Sequence, residues 1–253
     1  VVKPVPLSED RLIIPAVSGL IYTPLYVNST MLGVMPGYYN SAYGLTFNYL
    51  PSKKWSLSYG VYDGNLAQGK QTGLTGPTFN GSYFHIAETT ISWLLGRNKF
   101  PGVIGVGLWH QTGLIQTSPL LTEHSASGIY LYGTQRLWYR NRSMDNAGIS
   151  SFYQYGNTNS SVLNMQQYIG AGLTAFGLIV DRENDSMGIG GALSWLNQKS
   201  FHRRTELMTQ AYYQAFVTPN FYLEPALTYI PTPGTLPHLN AAWAMTLRGI
   251  ILF

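Results

Sequence analysis

The sequence predicts an all-β fold, an antiparallel up-and-down transmembrane β-barrel forming a single domain over residues 1–253. Three observations lead there: a shortage of charge without excess apolar bulk, recurrent period-two alternation in long segments, and an ordered sorting of connections. Charged residues make up 10% of the chain, against about 25% in an average soluble domain. Hydrophobic residues are an ordinary 45% and mean hydropathy is -0.01. A soluble domain needs a charged exterior, whereas a wall with one side in lipid does not.

Alternation supplies the strands. In Ser41 to Tyr49, one face reads Tyr43, Leu45, Phe47, Tyr49 and the other Ala42, Gly44, Thr46, Asn48. Trp55 to Tyr62 and Phe221 to Ile230 repeat the pattern. Successive side chains of a strand point to opposite faces, so each segment carries one greasy face and one polar or small face. Further strands are expected over Tyr83–Leu95, Gly102–Thr112, Gly128–Arg140, Ala147–Gly156, Met165–Val180, Asp185–Leu196, Glu206–Phe216 and Ala241–Phe253. Most approach the ~9–11 residues that a tilted strand needs to cross a bilayer. This makes eleven strands, and Arg11 to Thr23, broken by Pro15, is a candidate twelfth that would restore an even number.

Five short connections (Leu50–Lys54, Gly96–Pro101, Asn141–Asn146, Asp181–Asn184, Val217–Asn220) are expected to alternate with five longer ones. The longer ones are Asp63–Ser82, Gly113–Ser127, Asn157–Asn164, Asn197–Thr205 and Pro231–Asn240. In a meander, alternate connections lie at the same end, and short inner turns with long outer loops suit an outer-membrane barrel. The last segment sets Trp243, Met245, Leu247, Ile251 and Phe253 on one face and Thr246 and Arg248 on the other. Nineteen Tyr and six Trp favour membrane interfaces.

Other classes fall away. Without cysteine there is no disulfide framework, thiolate metal site or thiol nucleophile. The net charge of +4 is dispersed, which argues against a nucleic-acid partner. Leu12 to Tyr22 and Ile169 to Val180 are too short and too interrupted for a membrane helix. The start, Val1-Val2-Lys3-Pro4, suggests a mature or truncated chain. His85, His110, His124, His202 and His238 show no helical metal-ligand spacing, so neither metal nor cofactor is expected. The run from Asp181 to Asp185 has calcium-like spacing but lacks the glycine and distal glutamate of an EF-hand loop, and a solvated turn is favoured.

The order of several stretches resembles the carbohydrate-selective porin family of OprB type. These are Gly172 to Gly190 with its Asp181-Arg182 turn, Glu206 to Tyr213 with Gln210, and Thr218-Pro219 followed by Leu223 to Ile230 and Pro233-Gly234. Leu247-Arg248-Gly249 and Phe253 close the chain, and the likeness extends upstream to about residue 36. Ala226 and Thr228 stand where the family usually has acidic and amide residues, and Gln210 where it has a second Glu. The resemblance implies a sixteen-stranded barrel, of which this chain would supply the C-terminal part. It also implies passive diffusion of sugars or other small polar solutes through a bacterial outer membrane. Membrane lipid and carbohydrate would be its partners, and a homo-oligomer is compatible with it.

Parity then assigns the channel-facing residues: Glu206, Gln210, Tyr212 and Gln214 on one strand, Tyr222, Glu224 and Thr228 on the next, Arg248 on the last. Arg offers forked donors, Glu acceptors and Tyr a ring for a sugar's C–H face, a set suited to polyhydroxyl solutes. The bland alternative is that Arg and Glu pair and hold the wall. Arg136 and Gln135 compete for the inward position on their strand, and the charge favours Arg136. A barrel enzyme is the competing class, with His110, His124, Ser118, Ser125 and Glu123 as its candidates. The outer conduit of a secretion complex is a third.

Overall fold

A computed structural model describes residues 29–31, 33–35, 42–68, 78–96, 100–141, 147–234, 238 and 240–251. Within them the chain is one antiparallel meander of eleven strands, each bonded to its neighbours in sequence. The strands are β1 (Gly44–Ser52), β2 (Trp55–Asp63), β3 (Tyr83–Leu95), β4 (Phe100–Ser118), β5 (Leu121–Tyr139) and β6 (Gly148–Thr158). They continue with β7 (Met165–Phe176), β8 (Ser186–Leu196), β9 (Thr205–Thr218), β10 (Phe221–Ile230) and β11 (Ala242–Ile251). Among the described residues the edge strands β1 and β11 do not pair, so the sheet is not closed. The candidate strand Arg11 to Thr23 and Phe253 lie outside the described residues.

The strict alternation of short and long connections does not hold. Gly113–Ser127, expected as a long loop, is the tip of a hairpin in which β4 and β5 each run 19 residues and turn at Pro119-Leu120. Gly113 looks like a strand stop in the sequence. Here it adopts φ +79° beside a register shift between Thr112 and Ile115, so it forms a bulge that lets pairing resume. Conversely β7 ends at Phe176, short of Val180, because Gly177 takes φ +58° and turns the chain. That lengthens the connection expected at Asp181–Asn184. The connections after β2, β4, β6, β8 and β10 share one end of the sheet, called the loop end below, and the others share the turn end.

The two faces are inside-out relative to a soluble protein. Leu108, Ile189, Trp243, Leu247 and Met245 stand exposed on one face, Met245 at 85%. Glu224 and Thr228, on the opposite face, are each 1% exposed. Exposed aliphatic stripes backed by buried carboxylates and amides are what a wall between lipid and a polar interior requires. Aromatic rings mark both margins of the greasy face. Phe100 stacks on Tyr139 near the turn end, with centroids 5.5 Å apart, and Tyr229 meets Trp243 near the loop end at 4.4 Å.

Towards the loop end, the inner face of β2 to β6 is filled. The turn Ser29–Met31 with Val34 and Met35 packs into a buried cluster with Phe84, Ile86, Trp109, Ile115, Tyr130 and Leu163. The turn Gly64–Gln68 lies against β4. It is held there by Gln111, whose Nε2 donates to the carbonyl oxygens of Gly64 (3.1 Å) and Thr112 (2.7 Å). Asp63 ties the two ends of this connection, accepting from the backbone N–H groups of Asn65 (3.1 Å) and Thr78 (2.9 Å).

Candidate functional site

Register brings inner-face residues, most of them polar, from seven strands into two neighbouring rows. The first runs Arg136, Ser150, Thr174, Gly188, Tyr212, Ala226, Thr246 from β5 to β11. The second, one pair nearer the turn end, runs Phe176, Ser186, Gln214, Glu224, Arg248. Arginines therefore stand at both ends of the array with hydroxyls, an amide and a carboxylate between them.

Arg248 and Glu224 are direct cross-strand partners, and Arg248 Nη1 lies 3.1 Å from Glu224 Oε1. Gln214 Nε2 donates to the other carboxylate oxygen at 3.2 Å. The Glu224 side chain is 1% exposed and that of Arg248 34%. The carboxylate is thus a wall element satisfied by two neighbours, while the guanidinium is a third accessible. A buried carboxylate without this partner would carry a desolvation penalty of several kcal/mol, which explains why the acid occurs opposite an arginine.

Two rows from Glu224 towards the loop end, Gln210 Nε2 donates to Thr228 Oγ1 at 2.7 Å. Tyr212 is buried with its ring across Gly188, where a Cβ would meet Tyr212 Cε1 at 2.4 Å. Arg136 points inward and Gln135 outward, where Gln135 accepts from Trp93 Nε1 at 2.8 Å. The Arg136 guanidinium sits 4.7 Å from the Tyr139 ring centroid and 5.5 Å from that of Phe176. A register shift between Arg136 and Trp138 turns both Leu137 and Trp138 outward, so Trp138 does not share the face of Arg136 as strict parity predicts.

Of the nine channel-facing residues assigned from the sequence, Arg136, Tyr212, Gln214, Glu224 and Arg248 fall in the two rows of this array, Gln210 and Thr228 form the next row towards the loop end, and Tyr222 lies in the next row towards the turn end. Glu206 does not join them. It shares their face but lies at the loop end, where its Oε2 accepts the backbone N–H of Gly234 at 2.6 Å and fastens the β10–β11 connection. Parity fixed its face, but its height along the wall depends on the register of β9.

Sequence reasoning missed a further buried carboxylate on the inner face. Glu88 Oε2 and Oε1 accept the hydroxyls of Tyr130 and Tyr132, each at 2.8 Å. Both rings reach it by crossing β4 over glycine: a Cβ on Gly107 would meet Tyr130 Cζ at 2.1 Å, and one on Gly105 would meet Tyr132 Cζ at 2.2 Å. A lone acid in the segment Tyr83–Leu95 was the available signal. Its partners lie two strands away and emerge only with pairing.

The residues weighed for an enzyme go elsewhere. His110 Nδ1 contacts Ser127 Oγ at 2.7 Å on the outer face, and Glu123 accepts from the backbone N–H of Ser161 at 2.9 Å and from Ser160 Oγ. In the turn with calcium-like spacing, Asp185 is occupied by Arg182 at 2.6 Å, by Tyr213 and by the Phe216 N–H at 2.8 Å. Among the described residues no group of three or more His, Asp or Glu could hold a metal.

An antiparallel meander with lipid-type side chains on one face and a registered polar array on the other is the kind of wall from which membrane β-barrels are built. The family profile of the carbohydrate-selective porins, OprB family, matches residues 27–249, and the chain belongs to that family. Its fold is similar to the high-pH structure of Pseudomonas putida OprB, with TM-score 0.72 and 19% identity over 88% of this chain and 61% of that one. It is also similar to the low-pH structure of the same protein, with TM-score 0.56 and 20% identity over 82% and 54%. The chain thus spans less than two thirds of the solved porin chains it matches. No curated protein matches the sequence.

Proposed function

We propose that this chain forms part of the wall of one outer-membrane barrel through which sugars or other small polar solutes diffuse passively. The observation that carries this reading is the array from Arg136 to Arg248, set behind an exposed apolar face. Arg248, with a third of its side chain accessible, presents N–H donors to passing hydroxyls. Gln214 and Tyr222, both half-buried, add amide and phenol groups. Such alternating donors and acceptors replace the water a polyhydroxyl solute sheds on entering a narrow passage. Glu224 and Glu88, both engaged and buried, hold the wall. The outer face contacts membrane lipid.

Planar-bilayer conductance of the purified protein, with and without glucose or maltose, tests the proposal. The expected result is an ohmic current that falls as sugar is added and falls less in Arg248→Gln. Hydrolysis of ester or peptide substrates without current would favour the enzyme class. A large current indifferent to sugar would favour a general conduit.

A further inference from the structure

His85 and His110 are direct cross-strand partners on the outer face of β3 and β4, although 25 positions separate them in sequence. Directly opposed residues of adjacent strands hold their Cβ atoms ~4.5–5.5 Å apart, close enough for two imidazoles to share an ion. Each ring is already anchored through Nδ1. His85 Nδ1 bonds to Tyr59 Oη at 2.8 Å on the β2 side, and His110 Nδ1 bonds to Ser127 Oγ at 2.7 Å on the β5 side.

Nδ1 and Nε2 lie on opposite edges of an imidazole about its Cβ–Cγ axis. With both Nδ1 atoms drawn away from the pair, both Nε2 edges are turned towards one another across the β3–β4 seam. An Nδ1–H donated to a hydroxyl oxygen leaves the lone pair on Nε2, the arrangement that supports metal-ligating histidines generally. The two rings also lie within electrostatic reach of each other.

The surroundings suit a hydrated ion. His110 is exposed and His85 half-buried. The pair sits one step beyond the outward Leu108 and Ile129, and the next outward pair towards the loop end is Thr112 with Ser125. The greasy face therefore gives way to a polar one at this level. Water can complete the coordination shell that two protein ligands leave open.

We propose that His85 and His110 form a two-imidazole site for a borderline divalent cation such as Zn²⁺ or Cu²⁺, on the outer surface at the loop-end margin of the apolar band. Tyr59 and Ser127 are the positioning groups. Among the described residues no other histidine belongs to it.

Electron paramagnetic resonance of the detergent-purified protein with one equivalent of Cu²⁺ tests this, since imidazole favours Cu²⁺ most among the divalent first-row ions. The expected spectrum shows nitrogen couplings from two imidazoles at 1:1 stoichiometry, with Zn²⁺ displacing the copper. His85→Asn and His110→Asn should each lower affinity by ~10-fold or more and leave one coupled nitrogen, and Tyr59→Phe should weaken binding by ~10-fold. His124→Asn and His202→Asn should change nothing. Heat-dependent gel mobility confirms that each variant is folded, and Asn keeps a polar group at the site. Wild-type affinity no greater than that of the double variant, or a dependence on His124 or His202, would overturn the assignment.

Discussion

Tyr130 and Glu88 meet across an intervening strand: the phenol crosses β4 above Gly107 and donates to the carboxylate at 2.8 Å. The contact needs a glycine at one site and an acid at the next, so three strands are locked in register by three residues of different kinds. Replacing Gly107 by Ala should displace Tyr130, since the new Cβ would stand 2.1 Å from Cζ. Overpacking costs ~1–3 kcal/mol, and losing the hydrogen bond to this buried acceptor costs ~1–3 kcal/mol. Denaturant titration should show Gly107→Ala less stable than Tyr130→Phe, which loses the bond without the clash. Equal stability would place the ring elsewhere.

Removal of Arg248 leaves Glu224 buried beside Gln214 alone. Arg248→Gln should therefore destabilise the barrel by ~3–5 kcal/mol, the usual consequence of leaving half of a buried pair. Pairing it with Glu224→Gln should restore most of that loss, because two amides can bond each other in the same register. Equilibrium unfolding of the single and double variants measures both terms. In bilayers, the single variant should also shift the reversal potential towards cation preference.

Parity on β11 is tested by two neighbours. Leu247→Arg puts a charge on the greasy face and should cost up to ~2–4 kcal/mol if the site lies near the bilayer midplane. Thr246→Arg faces the polar interior and should cost little. Reversible unfolding from lipid vesicles distinguishes them, and the same penalty at both positions would contradict the face assignment.

Asp185 opens β8 from the turn end, outside the spanning strands. Burial raises its carboxyl, but the bonds from Tyr213, the Phe216 N–H and Arg182 outweigh burial and hold it below the usual carboxylate range. A depressed carboxylate stabilises the fold at pH values above its unfolded value of ~3.9 and loses that contribution as pH falls through the lowered one. Wild type should thus be more stable than Asp185→Asn at pH 7. The gap should narrow in acid below about pH 3.9, as thermal melts across pH would record.

Much of the wall was legible from alternation. Trp243, Met245 and Leu247 against Thr246 and Arg248 needed only the two-residue repeat of a strand, and they stand on those opposite faces. Where backbone geometry interrupts the repeat, the reading failed. Gly113 forms a bulge inside a hairpin, Gly177 ends a strand early, and a second bulge at Leu137 turns Trp138 outward. Glycine carries no side chain to say which of these it does. Parity gave Glu206 a face but not a height, and the register of β9 sets it at the loop end against Gly234.

By itself the sequence determined which side of each strand is greasy and which is polar, because that depends on neighbours two residues apart. It also carried the order of motifs by which the family was recognised. Only the tertiary structure decided who stands beside whom: Arg248 beside Glu224, Tyr130 over Gly107, His85 opposite His110. Those pairings join residues far apart in the chain through hydrogen-bond register, and a shift of one residue would carry every side chain to the other face. Register is a property of paired strands, and no single strand contains it.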